Sequence, residues 1–418
     1  MDEPLPSALV EKIWRTESPR LIAALTRMVR DLSLAEELTQ DAMMIALKTW
    51  PETGVPRNPA AWLMATAKRR AIDQFRRTRM AGRKLAMVQH DLETEPTSFV
   101  EASDRMLDDD FGDDMLRLIF TACHPVLSLE ARTALALKLV AGLTTPEIAR
   151  AFLVPEPTVA QRIVRAKRTL AEAGVGFEVP RGAGRDERLA AVLAVIYLVF
   201  NEGYSATAGE DLLRPQLMQE AMRLGRLLTR LAPEDAEVHG LMALMTLQAS
   251  RAAARIDAEG HPVLLAEQDR SAWNRALIAE GLAALSRADS LAPVAGPYQL
   301  QAWIAACHAR AARSEDTDWP RIADLYEALY AVAPSPVVAL NHAVAAGMAD
   351  GPEAGLRLVD AVAESGALKA YHLLPASRAE FLLRLGRDAE AARSFREAAA
   401  LTRNAREKAL LLARADAL

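Results

Sequence analysis

The sequence predicts an all-α protein. Alanine and leucine dominate a composition that is 51% hydrophobic, while aromatic residues make up only 5% and glycine is modest at 20 of 418 residues. Alanine and leucine are strong helix formers, whereas the β-branched and aromatic residues that favour strands are not plentiful. A chain of 418 residues can bury a large core and divide into two or three domains.

The first helix is expected from Ser7 to Arg30, with Leu21, Leu25 and Met28 among its apolar positions. The next starts at Ser33, where Glu36 three residues on has the spacing of a capping box, and continues through Leu38, Ala42 and Ile45 to Trp50. WPETGVPRNP comes next, and three prolines with a glycine exclude a regular helix there. From Pro59 the segment AAWLMATAKRRAIDQFRR turns helical again. Trp62, Leu63, Ala65, Ile72 and Phe75 supply its apolar surface, and Lys68, Arg69, Arg76 and Arg77 its charge. Such a helix docks by its stripe and offers the other face to a phosphate chain.

Charge is distributed unevenly behind the net value of −5. Residues 57 to 84 hold nine Lys or Arg against one acid, Asp73, and residues 91 to 114 hold ten acids against Arg105 alone. The basic stretch sets the local field that nucleic acid meets. The acidic one reads as a solvated linker over 91–112.

Two helices are expected over residues 113 to 141, around Leu116, Ile119 and Phe120 and then Ala134, Leu137 and Leu139. GLTTPEIARAFLVPEPTVAQRIVRAKRTL runs from Gly142 to Leu170 and reads as a helix-turn-helix. Thr144 and Glu147 fit a capping box, and Pro146 sits where a first turn has no amide bond to lose. Ile148 and Ala149 face inward, with Leu153 and Val154 at the turn. Pro157 opens a second helix that buries Val159 and Ile163. Thr158, Gln161 and Arg162 lie where base edges are reached, since glutamine pairs with adenine and arginine with guanine. Arg165, Lys167 and Arg168 are placed to meet phosphates.

With both basic units in order, the chain resembles a bacterial RNA polymerase sigma factor of the extracytoplasmic-function family. The resemblance rests on AEELTQDAMMIALKTW with NPAAWLMATAKRRAIDQFRR, and on LTTPEIARAFLVPEPTVAQRIVRAKRTL, and covers residues 7 to 174. It implies a polymerase-gripping segment from Asp31 to Trp50, with Asp31, Glu37, Asp41 and Trp50 as contacts. It further implies that the loop from Pro51 to Asn58 and the helix to Arg77 open and read the melted non-template strand through Arg57, Asn58, Lys68, Arg69, Arg76 and Arg77. The hairpin would read double-stranded promoter DNA at the more distant element. The implied domains are 1–90 and 113–178 around the linker. The chain departs from the family at Pro155-Glu156-Pro157, where a small polar cap usually opens the recognition helix, and at Ala160, where a basic residue is common.

Residues 186 to 418 exceed a minimal member. ERLAAVLAVIYLVFNEGYSAT, together with the helical region after it, resembles the long extension of a subgroup with tetratricopeptide-like repeats, here expected as a helical part over 186–290 and repeats over 291–418. FLLRLGRDAEAARSFREAAALTRN has Leu385-Gly386, Ala391, Phe395 and Ala398 at spacings typical of such a helix pair. YEALYAVAPS at 326 and FREAAALTRN at 395 recur at a separation of 69, close to two repeats. Stacked helix pairs leave a concave surface suited to a protein regulator. Asn201, Glu202 and Tyr204 form its most unusual polar cluster, read either as a helix end satisfying local backbone groups or as a regulatory contact.

No cofactor is implied and no metal site is legible. Cys123-His124 and Cys307-His308 are two distant pairs, and His239, His261 and His342 lack ligand spacing. GxSxG, HExxH, a Walker loop and a dinucleotide fingerprint are missing, so no enzyme is expected. The start, MDEPLPSALVEKIW, is not a signal peptide, and no run of 18 uncharged apolar residues occurs; a cytoplasmic protein without a membrane role is expected. A stand-alone helix-turn-helix regulator would explain the hairpin but leave the Asp31–Trp50 segment and the basic helix without a shared purpose. A repeat scaffold would explain the tail only.

Overall fold

The computed structural model describes residues 7–81, 111–152, 154–180, 183–206, 208–258 and 260–418. The chain divides into two compact units, Met1–Val195 and Ile196–Leu418.

In the first unit, helices α1 (Ser7–Val29), α2 (Leu32–Thr53) and α3 (Pro59–Ala81) enclose a core that includes Leu21, Leu25, Leu38, Ala42, Trp50 and Leu63. The start of α2 differs from the expected capping box. Asp31 is the N-cap, its Oδ1 accepting the amides of Ser33 at 2.8 Å and Leu34 at 3.0 Å. Ser33 is already inside the helix, so its hydroxyl is not at the N-cap, and its own amide is one of those that Asp31 satisfies. Helix α2 also continues past Pro51, against expectation. A proline that close to the end removes one ladder bond and leaves the rest intact. Gly54, with φ of 78°, then turns the chain left-handed while its amide donates to the Trp50 carbonyl at 2.9 Å.

Helices α4 (Phe111–Ala122), α5 (Leu129–Leu139), α6 (Thr145–Phe152) and α7 (Glu156–Glu172) form a second module in the same unit. The expected linker over 91–112 lies outside the described residues except for its last two positions, which start α4. Asp114, at the end of the acidic run, is not a solvated linker residue. Its side chain is 4% exposed and takes Arg117 at 2.7 Å and Arg27 of α1 at 3.3 Å. Helix α4 thus lies on α1, so the two modules pack together.

Helix α8 (Ala183–Tyr204) is followed by α9 (Pro215–Leu231), α10 (Ala236–Ala249), α11 (Arg275–Leu291), α12 (Pro297–Arg310), α13 (Trp319–Val332) and α14 (Pro336–Asp350). Then come α15 (Pro352–Glu364), α16 (Leu373–Arg384), α17 (Asp388–Leu401) and α18 (Ala405–Asp416). From α9 onward each helix packs on the next. A two-residue parallel pairing of Ala208-Gly209 with Arg403-Asn404 ties the start of the second unit to its end. Asn404, fully buried, donates from Nδ2 to the carbonyls of Ala206 at 3.0 Å and Asp211 at 2.9 Å. The same side chain caps α18 by accepting the amides of Arg406 and Glu407. One asparagine therefore links segments that the sequence expectation had assigned to separate parts.

Candidate nucleic-acid interface

The recognition hairpin is built from its caps upward. Thr144 donates from its amide and its hydroxyl to Glu147 Oε2, both at 2.7 Å, and Thr144 Oγ1 accepts the Glu147 amide at 3.3 Å. This reciprocal box starts α6, whose Ile148 and Ala149 are buried. The Val154 amide then donates to the Ala149 carbonyl at 3.0 Å, closing the turn; Leu153 lies outside the described residues. Helix α7 opens on Pro155 without a side-chain cap, and Pro157 occupies its first turn. Glu156 stands at the positive end of that helix and points into solvent.

Burial divides α7 into two faces. Val159, Ile163, Ala166 and Leu170 pack inward. Thr158, Gln161, Arg165 and Arg168 are exposed and Arg162 is half-buried. Val164 belongs to the open stripe as well, 64% exposed, and sequence reasoning passed over it because an apolar residue in a helix is ordinarily core. A groove of about 360 Å3 runs between Gln161, Arg162 and Arg165 on one side and Ser128 with Ala131 on the other. Ser128 caps α5 by accepting the Ala131 amide. The Glu130 carboxyl is held below its usual range, first by its own backbone amide and by Ser128, with Arg162 adding to them.

One member of the expected phosphate set, Lys167, differs from the reading. Lys167 turns inward and pairs with the buried Glu36 of α2, because it shares a face with Ile163 and Leu170. It is not available to a phosphate in this conformation. Arg168 is bound to Glu172 at 2.6 Å, but both side chains are largely exposed, 77% and 62%, so solvent weakens that hold.

Between α2 and α3, Arg57 is exposed. Asn58 caps α3, its Oδ1 accepting the Ala61 amide at 3.0 Å. Lys68 is half-buried, and burial followed by the neighbouring Arg27 charge holds its ammonium below the usual lysine range. Arg69 is exposed. The α3 backbone runs on through Arg76 and Arg77, whose side chains lie outside the described residues.

On α2, Glu37 is exposed and Asp41 meets Arg70 of α3 at 3.7 Å. Trp50 corrects the expectation of a surface contact. Its side chain is 2% exposed and rests edge-on against Trp62, with ring centroids 5.4 Å apart. Such a pair holds α2 to α3 and contributes about 0.5–1.5 kcal/mol beyond its area burial. Elsewhere on α2, Met44, 54% exposed, stands one turn after Asp41, and Leu47, 42% exposed, one turn further.

In the second unit the polar cluster at the end of α8 has a structural account. Glu202 is buried and meets Arg214 at 2.8 Å, and the Arg214 amide donates to the Gly203 carbonyl at 2.7 Å. A Cβ on Gly203 would stand 2.4 Å from the Met218 backbone nitrogen, so the glycine is what lets α9 approach. Tyr204 is stacked on Phe200 at 5.7 Å, with the Arg255 guanidinium 3.9 Å from its ring centre. Burial pushes the Cys123 thiol up to about 12, so no thiolate forms there, and among the described residues no group of three ligating side chains gathers. No described helix is long and apolar enough to cross a membrane.

Residues 13–80 match the family model of sigma-70 region 2, and residues 117–170 match that of sigma-70 region 4. Residues 188–289 match a family of unknown function (DUF6596). The chain is 47% identical over 401 residues to an uncharacterised protein of Rhizobium meliloti (strain 1021), covering 96% of this chain and 93% of the relative. It is 30% identical over 153 residues to the ECF RNA polymerase sigma factor SigK of Mycobacterium sp. (strain KMS), covering 36% of this chain and 74% of the relative. The SigK of Mycobacterium tuberculosis (strain ATCC 25618 / H37Rv) is 28% identical over 165 residues, 39% of this chain and 84% of the relative. No solved structure matches the chain. Two sigma modules in order, each matched to its own model and both within one alignment to SigK, place the chain in the extracytoplasmic-function RNA polymerase sigma factor family, as a transcription initiation factor with a long helical C-terminal extension.

Proposed function

We propose that this sigma factor reads the distant promoter element through the open stripe of α7. Thr158, Gln161 and Arg162 reach base edges, Val164 meets a thymine methyl, and Arg165 with Arg168 holds phosphates. The observation that carries this is the exposure of that stripe beside a groove, on a helix braced by the Thr144–Glu147 box. Arg57, Arg69, Arg76 and Arg77 accompany the melted non-template strand, with Asn58 shaping the loop and Lys68 set partly back. Glu37, Asp41, Met44 and Leu47 offer α2 to core polymerase, and Asp31 secures the start of that helix.

The packed state of the two modules is the resting form. The Lys167–Glu36 pair and the Arg27–Asp114 pair hold α7 and α4 against the polymerase-binding module. Binding to polymerase separates them and frees Lys167 for a phosphate. The factor acts in the cytoplasm and performs no bond chemistry itself. Its extension carries helix pairs of tetratricopeptide type that receive a regulator. Footprinting of the holoenzyme tests this reading: protection at two separated elements is expected, and Arg162→Ala should remove the distant one selectively. Loss of both footprints together would contradict it.

A further inference from the structure

The second unit contains a cavity of about 460 Å3 that promoter recognition does not use. Tyr197 and Asn201 of α8, Gln248 of α10, Arg251 just beyond it, and Gln301 and His308 of α12 form much of its wall. Trp273, Tyr326 and Asn341 line it from the loop before α11 and from α13 and α14. The volume falls within the roughly 300–1,000 Å3 typical of small-molecule sites.

Its electrostatics are one-sided. No aspartate or glutamate lines it, and Arg251 brings the one permanent charge among its lining residues. Burial, reinforced by Arg251 and Arg270, pushes His308 down to about 3, so the imidazole is neutral. Burial pushes the Tyr326 phenol up to about 12, so it is neutral too. A lone guanidinium therefore faces neutral walls, and its field inside the cavity is opposed by no carboxylate.

Amide side chains add neutral donors and acceptors to the wall: Gln248, Gln301 and Asn341 are among its lining, and Tyr197 donates to Gln301 at 3.1 Å. Tyr197, Trp273 and Tyr326 give the walls flat faces suited to a planar body.

We infer that the extension binds a small planar carboxylate bearing a hydroxyl or amino donor, with Arg251 anchoring the carboxylate and Gln248 accepting from the donor. The site lies wholly in the second unit and does not depend on the promoter assignments above. A sigma factor that carries it senses a metabolite directly.

Saturation-transfer NMR on the full chain tests this with hydroxybenzoates, aminobenzoates, small hydroxy and amino acids, their matched carboxamides, and inorganic phosphate. At least one carboxylate should bind at millimolar concentration or below, with its carboxamide at least tenfold weaker. Arg251→Met and Ala305→Phe, the latter filling the cavity, should each remove the signal while circular dichroism retains the helical spectrum. Should Arg251→Met fail to fold, Asn341→Asp supplies the charge test by repelling the anion. Silence from every carboxylate, equal binding of the amides, phosphate binding alone, or binding that survives the folded variants would overturn the inference.

Discussion

Lys167 of α7 is ion-paired with Glu36, a buried residue of α2. One positive charge expected on DNA is instead spent inside the free protein, between the two promoter-reading modules. Glu36→Gln should loosen that packing. The distance between probes at Glu37 and Arg165 should then increase in the free chain, with a loss of about 1–3 kcal/mol in stability for the charge left without its partner. Duplex binding should show a salt slope steeper by about one unit as Lys167 becomes available. An unchanged probe distance and slope would contradict a closed resting state.

In the proposed reading, Arg162 reads bases and Arg168 holds phosphate. Arg162→Ala should cost about 1–3 kcal/mol at preferred distant elements and little elsewhere, flattening selection from a promoter pool. Arg168→Ala should weaken all sequences alike and lower the salt slope. Selection by holoenzyme followed by sequencing distinguishes the two. Equal effects from both substitutions would sink the division of roles.

In the proposed reading, strand opening rests on the basic helix α3. Replacing Arg69, Arg76 and Arg77 with alanine should reduce open-complex formation at every promoter while leaving polymerase affinity intact. Permanganate reactivity of unpaired thymines reads the first effect, and a pull-down reads the second.

Gly203 sits where two helices nearly touch, and the expectation from Asn201-Glu202-Gly203-Tyr204 becomes one of stability. Gly203→Ala puts a methyl 2.4 Å from the Met218 nitrogen, a backbone atom that cannot swing away. Thermal unfolding of the second unit should reveal a loss of about 1–3 kcal/mol. A neutral result would show that α9 does not need this approach.

His308 gives the second unit a defined acid sensitivity. Its imidazole is pushed down to about 3 when folded, against 6.5 as its ordinary value. The unfolded chain therefore binds the proton first as pH falls. The stability gained by keeping this ring neutral is present above about pH 6.5 and lost below it, by about 1.4 kcal/mol per unit until about pH 3. His308→Gln should flatten that part of the profile in denaturant unfolding measured at successive pH values. A profile unchanged by the substitution would contradict the buried neutral state.

Legibility in the sequence depended on the range of each signal. The Thr144–Glu147 box was legible because both partners lie within one turn. The same spacing at Ser33 and Glu36 misled, since Asp31 two residues earlier binds the orphan amides and Glu36 is taken by a residue from another module. The inward turn of Lys167 accords with helical period, yet a basic residue among arginines reads more readily as surface. Trp50 was assigned by resemblance, and only packing against Trp62 shows it as core. The cavity was not legible at all. Its lining extends from Tyr197 to Asn341 over several helices, and no local pattern records such a convergence.

In vitro transcription with purified core polymerase and a randomised promoter pool tests the central claim most directly. The account predicts that the full chain directs initiation at promoters sharing two separated elements, and that Arg162→Ala blurs the distant one while the near one persists. Initiation without any shared sequence, or no initiation although the protein binds core polymerase, would contradict it.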